Sequence, residues 1–461
     1  MIVLQGVPSQ IANLVQDRTL ERVFHDALFP RLVFRGEAVP ELWLANIGDR
    51  HVFTRSGLMR PVIEALVPGQ DPTPGEYPTE QYEAEASQLG NTIPTHMPSS
   101  YVSLASIFLR NTQNLGLNAA QSMDRKARNA IFRPYLEGEA MVTTGVTGGG
   151  QTQLSVSTLS GFTQLLQNGR LNPVSASNPL PITFSNGEVA NTVVGFAPAN
   201  PARPFGPGTI TLGAALAGNV PARTAVKAST AARRLRIGAG ATVDSISAAN
   251  ILTLNDIIQA VARLRSMSVP PHADGFYHVH LDPTAESQIF QDNHWQRLHQ
   301  SGNGGEQYRD FVIGTAVGCM FFRNNEMPSE STISRTAIAI AGGAGGAKLA
   351  DEVGAEIVNA NGVAIRRTLV TGGGLLVEKY LDESKFITEA GVQGKIGEFS
   401  IINGGVAIMA QRIRYLLRAP QDKLQQIVDQ TWSWSGDFVA PSDALSGDAA
   451  RYKRAVVIEG A

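Results

Sequence analysis

The chain has 461 residues, 43% of them hydrophobic and 17% charged, with a formal net charge of −2. That length suggests about two to four domains around a sizeable core, and near-neutral charge argues against a dedicated nucleic-acid binder, which needs a basic excess. A single cysteine, Cys319, excludes an intrachain disulfide framework. No signal-peptide start and no apolar run long enough for a membrane span are visible, which points to a protein made and used in a cytoplasm.

Residues 1–50 hold one expected helix, Asp17 to Ala27, with Leu20, Val23, Phe24 and Leu28 on its apolar side, followed by Leu42, Trp43, Leu44 and Ile47. A segment this short cannot form its own core and must pack on something else. Residues 51–100 are rich in Pro and Gly, with extended pieces at Val52–Thr54 and Tyr82–Ile93, the pattern of a long two-stranded excursion. Such a hairpin is marginal by itself and gains stability by lying on a partner. Residues 103–133 predict a long helix with Ile107, Phe108, Leu115, Met123, Ala127 and Ile131 near one side, weakened at Gly116 and closed by Pro134.

Between 141 and 250, Thr, Ser, Gly, Pro and Val dominate and charges are sparse, which predicts a small β domain. Thr253 and Asp256 form a capping box for a helix whose apolar side is Ile257, Ile258, Val261, Ala262 and Leu264, ended by Val269-Pro270-Pro271. Gly275 releases the chain into a strand, Phe276 to Leu281, stopped by Asp282-Pro283. A helix from Ala285 to Leu298, a loop at Ser301–Gly305 and a buried strand from Phe311 to Phe322 with a kink at Gly318 follow. Short strands are expected through 324–410. Beyond 411, Trp432 and Trp434 share one strand face, and Arg454 to Ile458 reads as a last strand.

Residues 253–323 resemble the heart of the tailed-bacteriophage major capsid proteins, the Hong Kong 97-type shell fold. In that family an Asp-Ile-Ile-type helix leads into a strand ending at a proline. A short helix with Asp and Trp or His comes next, then a glycine-marked strand. Here those features are Asp256-Ile257-Ile258, Asp282-Pro283, Asp292/His294/Trp295 and Gly314/Gly318. Arg366 to Gly374 followed by Leu375 to Tyr380 resembles a late segment of the coat group that includes phage N-four.

The resemblance implies an α+β, Hong-Kong-97-like capsid fold. Its parts would be an N-terminal arm (1–50), an extended loop hairpin (51–100), a spine helix with the start of the peripheral domain (101–140), a β-rich insertion (141–250), a peripheral-domain helix (251–275), an axial domain (276–410) and a C-terminal return to the peripheral domain (411–461). It implies a coat protein, not an enzyme, that tiles an icosahedral head as hexamers and pentamers around dsDNA without sequence-specific binding and without a membrane. Strand addition at exposed edges is one expected clasp. The partners it implies are further copies of the chain, a separate scaffold protein, a portal and a candidate decoration protein, in a virion assembled in the host cytoplasm. Some members weld subunits by a Lys–Asn bond from the extended loop; this chain has no lysine before Lys126, so none is expected. An encapsulin-like shell is an alternative, but such chains are generally much shorter.

The sharpest rival is a metal-dependent hydrolase. His278 and His280 lie two apart on a strand and point to one side, so two imidazoles could share a metal. Pro283 stands where a further His ligand of one such pattern belongs, and no histidine follows His299. His272, His294 and His299 lie near in sequence. Gly342 to Lys348 lacks the Gly-Lys-Ser/Thr ending of a phosphate loop. The pairs Glu83/Glu85 and Glu137/Glu139 read as solvated charge, and Cys319 as a core thiol. No catalytic, cofactor-binding or metal residue is assigned, and no cofactor is expected.

Overall fold

A computed structural model describes residues 22–24, 26, 33–43, 48–56, 59, 61–63, 65, 69, 71–72, 74–77, 79–102, 107–167, 170–201, 204–231, 234–299, 314–328, 358–382, 392–396, 399–402, 405–418, 420, 422–424, 426–440 and 454–461. The fold is α+β. The chain forms two units. The first comprises Met1–His51, Glu83–Arg128 and Leu376–Val439; the second comprises Val52–Tyr82, Asn129–Leu375 and Ala440–Ala461.

In the first unit a long helix, α1 (Ile107–Leu136, 30 residues), contributes residues up to Arg128 and lies on an eight-stranded sheet. The sheet runs β1 (Ala38–Leu42), β18 (Leu376–Tyr380), β23 (Ile427–Val439), β22 (Ile413–Arg418), β21 (Gly405–Ala410), β20 (Phe399–Ile402) and β19 (Val392–Ile396). β4 (Ser87–His96) covers the opposite edge of β23 from β22 and β18, because Gly436 pairs with both Ser87 and Tyr380. Strand periodicity puts Val428, Gln430, Trp432 and Trp434 of β23 on one buried face. They meet the α1 face made of Phe108, Thr112, Leu115, Ala119, Met123 and Ala127, all buried. Two polar side chains caught there are paired: Trp432 Nε1 donates to Asn118 Oδ1 at 3.0 Å and Gln430 Nε2 to the Phe108 carbonyl at 3.2 Å.

Of the expected helix Asp17–Ala27, Arg22–Phe24 and Asp26 are helical and the rest lies outside the described residues. Phe24 is fully buried against Tyr415, ring centroids 5.0 Å apart. Arm residues 38–42 add as a parallel strand to β18. The expected excursion at 51–100 is a separate two-stranded ribbon, β2 (Arg50–Ser56) with β3 (Thr79–Glu85), followed by β4.

The outer edge of β4 carries a partly interrupted row of donors. The Met97 N–H turns toward β23 to reach Gln426 O, so by alternation the donors of residues 86, 88, 90, 92 and 96 fall on the outward side, with Pro94 among them offering none. Ala86 N–H already donates to Asp49 O, Thr92 N–H is taken by Asn91 Oδ1 at 2.9 Å, and Pro94 has no N–H.

The second unit holds a mixed sheet ordered β13 (Leu235–Arg236), β24 (Ala455–Gly460), β17 (Arg366–Thr371), β14 (Tyr277–Leu281), β16 (Cys319–Arg323) and β15 (Thr315–Ala316). Helix α2 (Leu254–Ser266) packs on it through Leu254, Ile257, Ala260, Val261 and Leu264. Asp256 caps this helix as the sequence predicts, accepting Thr253 N–H at 3.0 Å and Thr253 Oγ1–H at 2.6 Å. Ile258 and Ala262, expected in the core, are instead exposed, Ile258 by 40%. The apolar arc is wider than the stripe that one sheet can cover.

Three other expectations change. The helix over 103–133 continues through Pro134 to Leu136, while 103–106 lie outside the described residues. Proline in the last turn removes a single backbone bond, and Arg234 takes the carbonyls of Tyr135 and Leu136. The single helix Ala285–Leu298 is two, α3 (Pro283–Gln291) and α4 (Asn293–His299). Asp292 breaks it because its carboxylate accepts both His294 N–H at 3.0 Å and Leu254 N–H at 2.7 Å. The strand Phe311–Phe322 is a hairpin of β15 and β16, turned at Val317 and Gly318 with φ of 55° and 76°. Residues 311–313 lie outside the described set, as do Ser301–Gly305.

The insertion is a barrel. β5 (Glu139–Met141), β12 (Ala225–Ala228), β9 (Leu180–Phe184), β10 (Asn191–Pro198), β11 (Gly208–Leu212) and β6 (Gln153–Val156) pair in that order. β6 returns to the start: Val142 bridges Val156, Thr143 N–H reaches Ser155 O at 2.9 Å, and Ser157 N–H reaches Met141 O at 2.8 Å. Closure removes the sheet edges. The interior is filled by its own apolar side chains, among them Leu154, Phe162, Ile182, Val193, Ile210 and Val226. A small hairpin, β7 (Gln164–Gln167) with β8 (Arg170–Pro173), is added. Gly161 sits at φ 80°, and a Cβ there would collide with the backbone nitrogen of Gly138, so only glycine lets the chain pass here. Because the barrel is closed around its own core, a polypeptide of residues 137–231 should fold alone. We expect cooperative thermal unfolding by circular dichroism; a featureless, non-cooperative trace would contradict a self-sufficient barrel.

Candidate functional site

The residues with potential for chemistry lie on β14. His278 and His280 do point to one side, as the sequence predicts. The space they share is occupied by Phe322 of the paired strand β16, whose ring centroid lies 4.8 Å from that of His278 and 5.4 Å from that of His280. His272 stacks on His278, ring centroids 3.8 Å apart and planes nearly parallel at 4°. The result is a ladder of four rings. Two of its imidazoles are engaged locally: His278 Nε2 meets Asp274 Oδ2 at 2.8 Å, and His272 Nε2 meets Thr371 Oγ1 at 3.0 Å. His280 is fully buried. An aromatic ring sits where a pair of strand histidines sharing a metal would need oxygen, nitrogen or sulfur ligands.

The other candidates separate. His294 is exposed on α4, away from the ladder, and the His299 side chain lies outside the described set. Cys319 is fully buried on β16, and burial pushes its thiol up to about 11, the state of an inert core residue. Glu83 and Glu85 are exposed, as expected. Glu139 is not: it is 9% exposed and belongs to a buried ionic cluster. Gly342 to Lys348 lie outside the described residues.

That cluster is the most strongly organised polar group among the described residues of the second unit. Glu459 of β24 is fully buried among three arginines. Arg236 Nε lies 3.0 Å from Glu459 Oε2, Arg367 Nε 3.1 Å from Oε1, and Arg234 Nη1 3.5 Å from Oε1. Arg236 also holds Glu139 of β5 at 2.7 Å, and Arg234 reaches it at 3.5 Å. Further donors go to carbonyls at the end of α1 and to Ala241 O. Burial alone would push the Glu459 carboxyl up. Arg234, Arg367 and Arg236 outweigh it and hold the group down at about 2. Sequence reading missed this cluster because its members span 139 to 459 and each is an ordinary charged residue in isolation.

The first unit has a smaller counterpart. Glu378 of β18, fully buried, is held by Arg35 at 2.5 Å and Arg412 at 2.7 Å. Asp124 of α1 accepts the N–H groups of Phe34 and Arg35 at 2.7 and 3.2 Å. Together these fix the arm segment before β1.

One exposed segment stands apart. Between β2 and β3, Met59 is 53%, Val62 84% and Ile63 92% exposed. Branched aliphatic side chains so fully in water gain free energy from any partner that covers them.

The buried carboxylate makes stability depend on pH. A group whose folded pKa is about 2 against an ordinary 4.5 stabilises the fold above about pH 4.5, and that contribution disappears as pH falls toward 2. It amounts to about 3 kcal/mol at neutral pH. Urea unfolding of the wild type should weaken steeply across this window, whereas Glu459→Gln, already destabilised by about 3 kcal/mol or more through its unpaired arginines, should show a flatter acid limb. The histidine ladder gives a second test. His280→Ala should cost about 2–4 kcal/mol as a core truncation, and EDTA should leave the melting midpoint of the wild type unchanged. A chelator-induced drop would restore the metal reading.

No family model matches the sequence, and no curated protein matches it. Among solved structures the chain is similar to the capsid of Ralstonia phage GP4, at 12% identity over 92% of this chain and 87% of that one, with a TM-score of 0.46. It is similar to the capsid asymmetric unit of cyanophage Pam1, at 12% identity over 95% and 92%, with a TM-score of 0.47. It is also similar to the acid-stable capsid of Helicobacter pylori bacteriophage KHP30, at 8% identity over 100% and 99%, with a TM-score of 0.41.

Proposed function

We propose that this chain is the major capsid protein of a tailed phage and that it self-assembles into an icosahedral head around dsDNA. The observation that carries the reading is the order of parts along the chain. An arm strand at 38–42 comes first, then a two-stranded ribbon, a 30-residue helix, an inserted barrel, a mixed α/β sheet and a late strand that returns to that sheet. The resemblance at Asp256–Gly318 implies the arm, ribbon and long helix of this order, and leaves the barrel as an insertion of this chain's own. The role is mechanical: copies of the chain meet as hexamers and pentamers, with a separate scaffold protein, a portal and a candidate decoration protein as partners, in a virion built in the host cytoplasm.

The exposed Met59, Val62 and Ile63 supply a surface for a neighbouring copy. Side-chain packing there would act beside the strand addition at exposed edges that the sequence leads one to expect. Many weak contacts of this kind, each repeated around the shell, give collective stability.

Negative-stain electron microscopy with light scattering tests this on the chain expressed alone and with a candidate scaffold. Shells, tubes or isolated capsomers are expected, and a clean monomer under both conditions would overturn the reading. Val62→Asp combined with Ile63→Asp should abolish or strongly reduce assembly while leaving the circular dichroism spectrum intact. Particles should dissolve to a single band on a denaturing gel, since the segment before Lys126 offers no lysine for a covalent weld.

A further inference from the structure

Five asparagines of the chain are followed by glycine, at 168, 186, 303, 361 and 403. Asn186-Gly187 and Asn361-Gly362 lie among the described residues, and both pairs are exposed. The backbone nitrogen after an asparagine can attack the side-chain Cγ, and glycine, with no Cβ, leaves that approach open. The two pairs differ in what holds the attacking nitrogen. Gly362 N–H donates to Asn359 O at 3.0 Å, and Asn359 Oδ1 accepts Asn361 N–H and Val363 N–H, each at 3.0 Å. The Asn361 amide is itself tied to Asp244 O at 3.1 Å. Ring closure there must first break a clamped turn. Gly187, at φ 83° with open space around it, has a backbone N–H that donates to no acceptor among the described residues. Asn186 Oδ1 accepts Glu188 N–H at 3.2 Å, an Asx turn that folds the side chain back along the Gly187 peptide. That N–H also faces the oxygen on which negative charge develops when Cγ is attacked.

We propose that Asn186 is a self-modification site, converted by water to aspartate and isoaspartate within the folded chain. Gly187 N gives up its proton to hydroxide and bonds to Asn186 Cγ. The Cγ–Nδ2 bond then breaks, and ammonia leaves with a proton taken back from water. Water opens the resulting cyclic imide at either carbonyl, which yields the two acids. The net exchange is water taken up, ammonia released and a negative charge gained. The charge lands beside Glu188, whose Oε1 accepts Ala217 N–H at 2.8 Å and Gly218 N–H at 3.3 Å, and it replaces the Nδ2 donor to Asn219 O at 3.1 Å. A carboxylate there repels that carbonyl and loosens the end of the barrel. This reactivity belongs to the turn and does not depend on the coat reading.

The test incubates the full chain, folded, in mildly alkaline buffer, and follows the proteolytic peptides that carry each pair by mass spectrometry over time. Conversion at Asn186 should outpace that at Asn361 by about tenfold, the effect of an ordinary hydrogen bond guarding the Gly362 nitrogen. An isoaspartyl methyltransferase should label the Asn186 peptide, which separates the imide route from direct hydrolysis of the amide. Unfolding in guanidinium should bring the two rates together, since it removes the clamp and the Asx turn alike. No conversion at Asn186, a native rate at or below that of Asn361, absence of the isoaspartyl label, or the same rate ratio in the unfolded chain would each overturn the proposal. The coat reading stands under every one of these outcomes.

Discussion

A carboxylate such as that of Glu459 is too costly to bury unless cations and hydrogen bonds replace the water it loses. The second unit is built around meeting that condition. Arg234, Arg236 and Arg367 surround the group, Glu139 balances part of their charge, and backbone carbonyls take further donors. The five side chains come from β5, β13, β17, β24 and the segment before β13, and Arg234 also closes the last turn of α1. A one-residue slip of β24 would turn Glu459 to the other face of the sheet, away from these arginines. The cluster therefore fixes the register of the late strand between β13 and β17 and ties the first barrel strand to the same point.

The first unit solves a similar problem on its arm. A segment too short for a core of its own is held by backbone pairing to β18, by Glu378 gripping Arg35, and by Asp124 taking two N–H groups. The long helix is seated through small residues and two indoles of β23, with the trapped Gln430 and Trp432 both partnered. In the second unit, by contrast, Met59, Val62 and Ile63 stand largely in water.

The histidine strand shows why a pattern of residue types does not by itself make a catalytic site. His278 and His280 have the spacing of metal ligands, yet the parallel register that sets His280 opposite Phe322 fills the shared face with an aromatic ring. The imidazoles become stacking elements in a ladder with His272, and their identity matters for packing and local hydrogen bonds.

Periodicity and turn chemistry alone determined several parts of this protein. The capping box at Thr253, the strand ended by Asp282-Pro283, the long amphipathic helix, the β character of the insertion and the shared face of Trp432 and Trp434 are all local patterns, and local patterns survive in sequence. The break at Asp292 was not readable, because it depends on Leu254, far away in the chain, donating to that carboxylate. The exposure of Ile258 was decided by how much of the helix one sheet can cover. Closure of the barrel rests on a bridge between Val142 and Val156, and the ionic cluster joins Glu139 to Glu459 through their shared arginines. These are non-local pairings whose energy exists only once the chain has folded, so only the tertiary structure could decide them.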